Sequence, residues 1–103
     1  MSLNDSHFDI LVVLNPHAKH GYAMVQDIEQ LHDGQYKPSI GMLYVGLQKL
    51  MTDGLIEDAP APPDNTDPRR KFYQLTALGK STVIQEYKNR MEFLKRAKRL
   101  LNT

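Results

Sequence analysis

Ser39, Tyr44, Gln48 and Lys49 fall within one short stretch of the chain, and Arg69, Arg70 and Lys71 stand side by side further on. These residue types suit contact with a nucleic acid. The hydroxyls of Ser39 and Tyr44 can bond phosphate oxygens. The Gln48 amide can pair bidentately with adenine, and Lys49 can reach guanine or a phosphate. The Arg69-Arg70-Lys71 triplet could reach a neighbouring phosphate or the minor groove. It could equally guard an exposed sheet edge against aggregation. The surrounding stretch is otherwise acidic (Asp58, Asp64, Asp67), and the DNA reading is preferred. Catalysis has less support. No nucleophile elbow, phosphate loop or metal signature is present. His17 and His20 are three apart but straddle a helix start with no third ligand nearby, so they read as a turn histidine and a capping or phosphate-contacting one. No enzymatic activity, metal or cofactor is expected.

These residues must be held by a small body. The chain has 103 residues, one domain's worth, and its 13 Lys+Arg against 12 Asp+Glu give a net charge of +1. It has no cysteine, which excludes disulfides, thiolate zinc sites and cysteine nucleophiles. The longest apolar run, Ile10 to Leu14, is far short of the ~20 residues a membrane span needs, and no signal peptide is read at the start. A cytoplasmic, soluble domain is the expectation. The near-neutral total conceals an asymmetry: residues 1–54 carry −3 and residues 55–103 carry +4. A basic half beside an acidic one is compatible with nucleic-acid binding.

Periodicity predicts four helices and a hairpin. The first helix starts at Asp5 or Ser6 and runs to Leu14, with Phe8, Ile10, Leu11, Val13 and Leu14 apolar nearly all round, so it should be central to the core. Asn15-Pro16 ends it. The second runs from about Gly21 to Leu31, with Tyr22, Met24, Val25, Ile28 and Leu31 on one face. The third, opened by Pro38 and Ser39, extends to Thr52; it buries Leu43, Leu47, Leu50 and Met51 and is stopped by Asp53-Gly54. Gly41 and Gly46 inside it cost about 1 kcal/mol each relative to alanine, which suggests close backbone approach to something. Two short strands follow, 55–57 and 71–75, joined by a long loop carrying Pro60, Pro62, Pro63 and Pro68.

The last helix opens at Thr76 and runs to about Leu101, roughly 38 Å. Ile84, Tyr87, Met91, Leu94 and Leu101, with Lys98 filling the one polar position, recur in steps of three and four, as a coiled-coil seam does. A helix so much longer than the body cannot bury that stripe on it. A two-fold homodimer through this helix is preferred to a helix folded back over the core.

Helix, helix, turn, helix, hairpin and long helix suggest a mainly α chain with a small β-hairpin: a winged helix-turn-helix (1–75) with a C-terminal dimerisation helix (76–103), together one structural domain. The later helix of such a pair enters the major groove. The sequence resembles the PadR-like transcriptional regulators. The resemblance rests on Ile10-Leu11-Val12-Val13-Leu14, His20-Gly21-Tyr22, Gly41-Met42-Leu43-Tyr44, Leu47-Gln48-Lys49-Leu50, Asp53-Gly54-Leu55-Ile56 and the segment Arg70 to Gly79, which occur in the family's order and spacing across residues 8–80. It implies a homodimer on palindromic double-stranded DNA, usually a repressor, and the single long last helix resembles the small subfamily.

By position, the resemblance puts His20 and Tyr22 at the start of the second helix, near a phosphate or packing the turn. It puts Ser39, Tyr44, Gln48 and Lys49 on the recognition helix, and Arg69, Arg70 and Lys71 in the wing. Val45 stands where the family often has proline, and Met42 where threonine or serine is usual, so fewer polar side chains face the groove. Some members of the small subfamily hold planar aromatic drugs between subunits, stacked on a tryptophan of the last helix. This chain has no Trp. Tyr87, Met91, Phe93 and Leu94 are therefore read first as interface packing and second as a pocket for a small-molecule effector. The rival to DNA binding is a winged helix that binds protein, favoured by the apolar Ile40, Met42 and Val45.

Overall fold

The computed structural model describes residues 3–102. In chain order its elements are α1 (Asp5–Val13), β1 (Lys19–His20), α2 (Gly21–Leu31), α3 (Ile40–Thr52), β2 (Ile56–Ala59), β3 (Phe72–Leu75) and α4 (Ala77–Leu101). The sheet is antiparallel with order β1-β3-β2. The hairpin register sets Ile56 opposite Leu75 and Ala59 opposite Phe72. The fold is the mainly helical winged arrangement that the element order implies, with one addition. β1 places Lys19 opposite Tyr73 and His20 opposite Phe72, making the expected hairpin a three-stranded sheet. Two residues carry no periodic signal, so pairing with β3, not local sequence, makes this strand.

Local chemistry sets the helix ends. The α1 cap is Asn4, whose side chain accepts from the His7 N–H at 2.8 Å, and not Asp5 or Ser6. Asp5 already lies in the first turn, where its charge suits the helix dipole. Ser39 caps α3 by accepting from the Met42 N–H, and Thr76 caps α4 by accepting from the Gly79 N–H. At the end of α3, Gly54 takes a positive φ of 75°. The Leu55 N–H then reaches back to the Leu50 carbonyl, and the Gly54 N–H to that of Met51. This double closure satisfies carbonyls that a helix end leaves unpaired, and it moves the start of β2 to Ile56.

α1 lies at the centre, against α2, α3 and α4. Leu11, Leu14, Met24, Ile28, Leu43, Leu47 and Leu50 are fully enclosed, and Ile56, Tyr73 and Val83 join them. Asp9 is buried among these apolar groups. Its carboxylate meets His32 Nε2 at 2.9 Å, which ties α1 to the end of α2. Two residues of the expected apolar face of α2 are not in the core: Tyr22 is 65% and Leu31 49% exposed. They sit at the two ends of the helix, where the body curves away from it. Gly46 faces α1, and a Cβ there would lie 2.7 Å from Ile10 Cδ1, whereas a Cβ on Gly41 would meet nothing within 4 Å.

α4 is fixed only at its base. A Cβ on Gly79 would stand 1.9 Å from the Leu55 carbonyl oxygen, so the first turn rests directly on backbone. Val83 enters the core. Arg90 bonds the Glu86 carboxylate at 3.0 Å and that of Asp5 at 2.9 Å, with its guanidinium 4.1 Å from the Phe8 ring centre. Desolvation works against the Arg90 charge, but the bonds to Glu86 and Asp5 outweigh it and raise its pKa above the ordinary value. Beyond this clamp the helix leaves the body, and the molecule with it spans 52 × 29 × 23 Å. It is not folded back, and Ile84, Tyr87, Met91, Leu94 and Leu101 are all exposed. Among the described residues no helix is long and apolar enough to cross a membrane.

Candidate nucleic-acid interface

The first residues of α2, the middle of α3 and the end of the hairpin loop enclose a cleft of about 370 Å³. His20, Tyr22, Tyr44, Arg69, Arg70 and Lys71 line it together with Gly21, Asp67 and Tyr73. Six of the nine residues singled out from the sequence thus meet in one place, drawn from three separate segments. Ser39, Gln48 and Lys49 lie elsewhere.

His20 ends β1 and begins α2. Its Nδ1 accepts from the Ala23 N–H at 3.2 Å, and its ring stands edge-on to Phe72 at 5.4 Å. Burial, and then the nearby Arg70 charge, hold its pKa below the ordinary value. A neutral ring with Nδ1 accepting keeps its proton on Nε2, so it remains a donor as well as a cap. It caps and packs the turn, and it lines the cleft.

The next residue, Gly21, is small for a reason. A Cβ there would come 3.0 Å from the Tyr44 hydroxyl, so the glycine admits the tyrosine over the start of α2. The positive end of the α2 dipole therefore borders the cleft, beside both tyrosines and the arginines.

Carboxylates hold most of the cations. Arg69 Nε lies 3.2 Å from Asp67 Oδ1, and the Arg69 N–H donates to the same oxygen at 2.9 Å. These bonds from Arg69 hold the Asp67 carboxyl below its ordinary pKa. Lys71 Nζ is 3.4 Å from Asp58 Oδ1 and 5.8 Å from the Tyr73 ring centre. Burial raises the Tyr73 pKa despite the opposing Lys71 charge. Within the triplet, Arg70 has no ion pair among the described residues.

The other three expected residues occupy different ground. The Ser39 oxygen serves as the α3 cap. Lys49 is paired with Asp53 at 3.3 Å and lies on the opposite flank of α3, lining a separate cavity with Asn4, His7 and Leu78. Gln48 is exposed on the outer face of α3, in line with Gly41 and Val45.

Three members of the cleft, Gly21, Tyr73 and Asp67, were not among the expected site residues. Strand alternation could have found Tyr73, since Lys71 and Tyr73 must point the same way. Asp67 carries no such signal. Only the folded loop, where Arg69 turns back on it, brings it in.

Comparison with known proteins bears on the fold and the family. The family model described as Transcriptional regulator PadR-like family matches residues 10–85. No curated protein matches the chain. Among solved structures, a PadR family transcription regulator from Clostridium difficile superposes with a TM-score of 0.75 at 20% identity, covering 97% of this chain and 100% of that one. A transcriptional regulator from Clostridium thermocellum gives 0.68 at 25% identity, over 94% and 86% of the two chains. A PadR-like transcription factor from Bacteroides fragilis gives 0.73 at 21% identity, over 91% and 87%.

Proposed function

Because the chain belongs to the PadR-like family of transcriptional regulators, we propose that it binds double-stranded DNA as a homodimer and acts as a repressor on a palindromic operator. The observation that carries this reading is the cleft. Tyr22, Tyr44, His20 Nε2 and the helix terminus supply donors of the kind phosphate oxygens take, and Arg69, Arg70 and Lys71 supply charge at the same place. A phosphate seated there would hold α3 against the major groove, with the hairpin loop alongside. Ser39 and Lys49 lie outside the cleft: the Ser39 oxygen already caps α3, and Lys49 would contact DNA only by leaving Asp53.

The homodimer reading rests on α4. Ile84, Tyr87, Met91, Leu94 and Leu101 form an exposed apolar stripe along a helix that leaves the body beyond Arg90. Such stripes normally mark interfaces. In a two-fold pair each copy presents one α3, and half-sites should lie about one helical turn, ~34 Å, or a multiple apart.

Selection of bound sequences from random duplex DNA with the purified protein tests the reading. Recovered sites should be palindromic. If the three wing cations of each subunit meet phosphates, affinity should fall about a thousandfold between 50 and 200 mM salt. A chain that retains no duplex at low salt is not a DNA reader. The exposed Met42 and Val45 would then be a surface for protein.

A further inference from the structure

We propose that α3 reads an A·T-containing half-site through Val45 and Gln48: Val45 against the C5-methyl of a thymine, Gln48 on the adenine of the adjacent base pair. The inference rests on the reading of α3 as the DNA-facing helix and adds what that helix reads.

The rotation of α3 is fixed by what it buries. Leu43, Gly46, Leu47 and Leu50 face the body. With 3.6 residues per turn, the line opposite them runs through Gly41, Val45 and Gln48, which lie within about 60° of one another. All three are exposed, and Val45 is 73% exposed. These side chains meet a partner that enters along the outward normal of the helix.

The chemistry of this line is narrow. Arginine and lysine make the commonest specific contact, to guanine O6 and N7, and neither is on it. Lys49 points to the flank and is held by Asp53, and the arginines stand at the wing. An amide presents one donor and one acceptor, the pattern that adenine N6 and N7 complement. A valine offers only methyl groups, and the thymine methyl is the one apolar group in the major groove. Valine is short, so it reaches a base edge only if the helix approaches closely. Gly41, one turn earlier on the same line, has open space where a side chain would stand. Val45 and Gln48 are separated by about 4.5 Å along the helix, near the ~3.4 Å between successive base pairs. They therefore face neighbouring pairs.

Base analogues in the selected operator test this directly. Replacing thymine by deoxyuridine removes the methyl and leaves base pairing unchanged. At one thymine in each half-site, two per operator, the replacement should weaken the wild-type protein about fifteenfold, the partition of two methyl groups, and should not affect Val45→Ala. At the neighbouring adenine, 7-deazaadenine removes N7. It should weaken the wild-type protein about tenfold and leave Gln48→Ala unchanged. Both variants alter exposed positions, and circular dichroism checks that they fold. Affinity insensitive to every uracil and deazaadenine replacement overturns the proposal while leaving DNA binding intact. So does a half-site whose discriminated pairs are all G·C. Failure to select any duplex removes the underlying reading instead.

Discussion

On α4, Ile84, Tyr87, Met91 and Leu94 are each between 40 and 58% exposed, and the next position in their line is Lys98. Around the cleft, Arg69 and Lys71 are already in contact with Asp67 and Asp58, and only Arg70 of the triplet is left unpaired. The two surfaces are incomplete in different senses. Apolar area on a helix clear of the body gains nothing from water or salt, and only another apolar surface improves it. A cation can wait in an exposed ion pair at little gain or loss and exchange that carboxylate for a phosphate when one arrives. The first surface thus calls for a permanent partner, the second for an exchangeable one.

The largest expected effect breaks the first surface. Leu94→Glu places a charge in the seam twice per dimer, and burying it without a partner is costly. Sedimentation should show the dimer weakened by at least about a hundredfold, with unchanged helicity, because Leu94 lies beyond the Arg90 clamp and touches no core residue. A variant that dimerises as the wild type does would place the interface elsewhere. Next comes the second surface. Arg70→Ala should reduce operator affinity about tenfold at moderate salt and lower the salt slope by about two units per dimer. The oligomeric state should stay the same. A slope identical to the wild type would remove Arg70 from the phosphate contacts.

Asp67→Asn sharpens the contrast in the opposite direction. It releases Arg69 and removes an anion from a site proposed for phosphate, so operator affinity should rise about threefold, a size typical of exposed ion pairs. Titration at fixed salt measures it, and weaker binding would show that Asp67 holds the loop in shape and does not merely compete for Arg69.

Much of the frame could be read from the sequence because its signals are local. Ser39 and Thr76 cap where they stand, Asp53-Gly54 ends α3, and the α4 stripe repeats at helical spacing. What could not be read depends on distant parts of the chain. β1 exists because β3 is there to pair with it. Gly46 is small because Ile10 crosses it, and no spacing within α3 distinguishes it from Gly41, which has open space. Lys49 lies beside Gln48 in sequence but 100° around the helix, and the position of Asp53 one turn on draws it to the flank. The meeting of His20, Tyr44 and Arg70 was not visible as a site, since three separate segments and a long loop are needed to form it.

The smallest predicted effect is a pH dependence confined to the cleft side. His20 has a folded pKa below 6.5, chiefly through burial and then through Arg70. Above pH 6.5 the ring is neutral in both folded and unfolded chains and contributes no pH dependence. As pH falls through 6.5, the unfolded chain takes up the proton first, while the folded chain resists until its own lower pKa. Unfolding therefore becomes easier across that window and levels off beneath it. The proton also competes for Nδ1, which accepts from the Ala23 N–H, so acid loosens the start of α2 beside Tyr22. Asparagine caps a helix as well as any residue and does not titrate. His20→Asn should match the wild type at pH 7.5 and lose less stability than it between pH 6.5 and 5, in urea unfolding at each pH. Every other side chain is common to both proteins and cancels in the comparison. Parallel losses in the two proteins would leave the cleft without a titrating group. Dimer affinity, set by the mainly apolar α4 stripe away from His20, should be the same at both ends of the window.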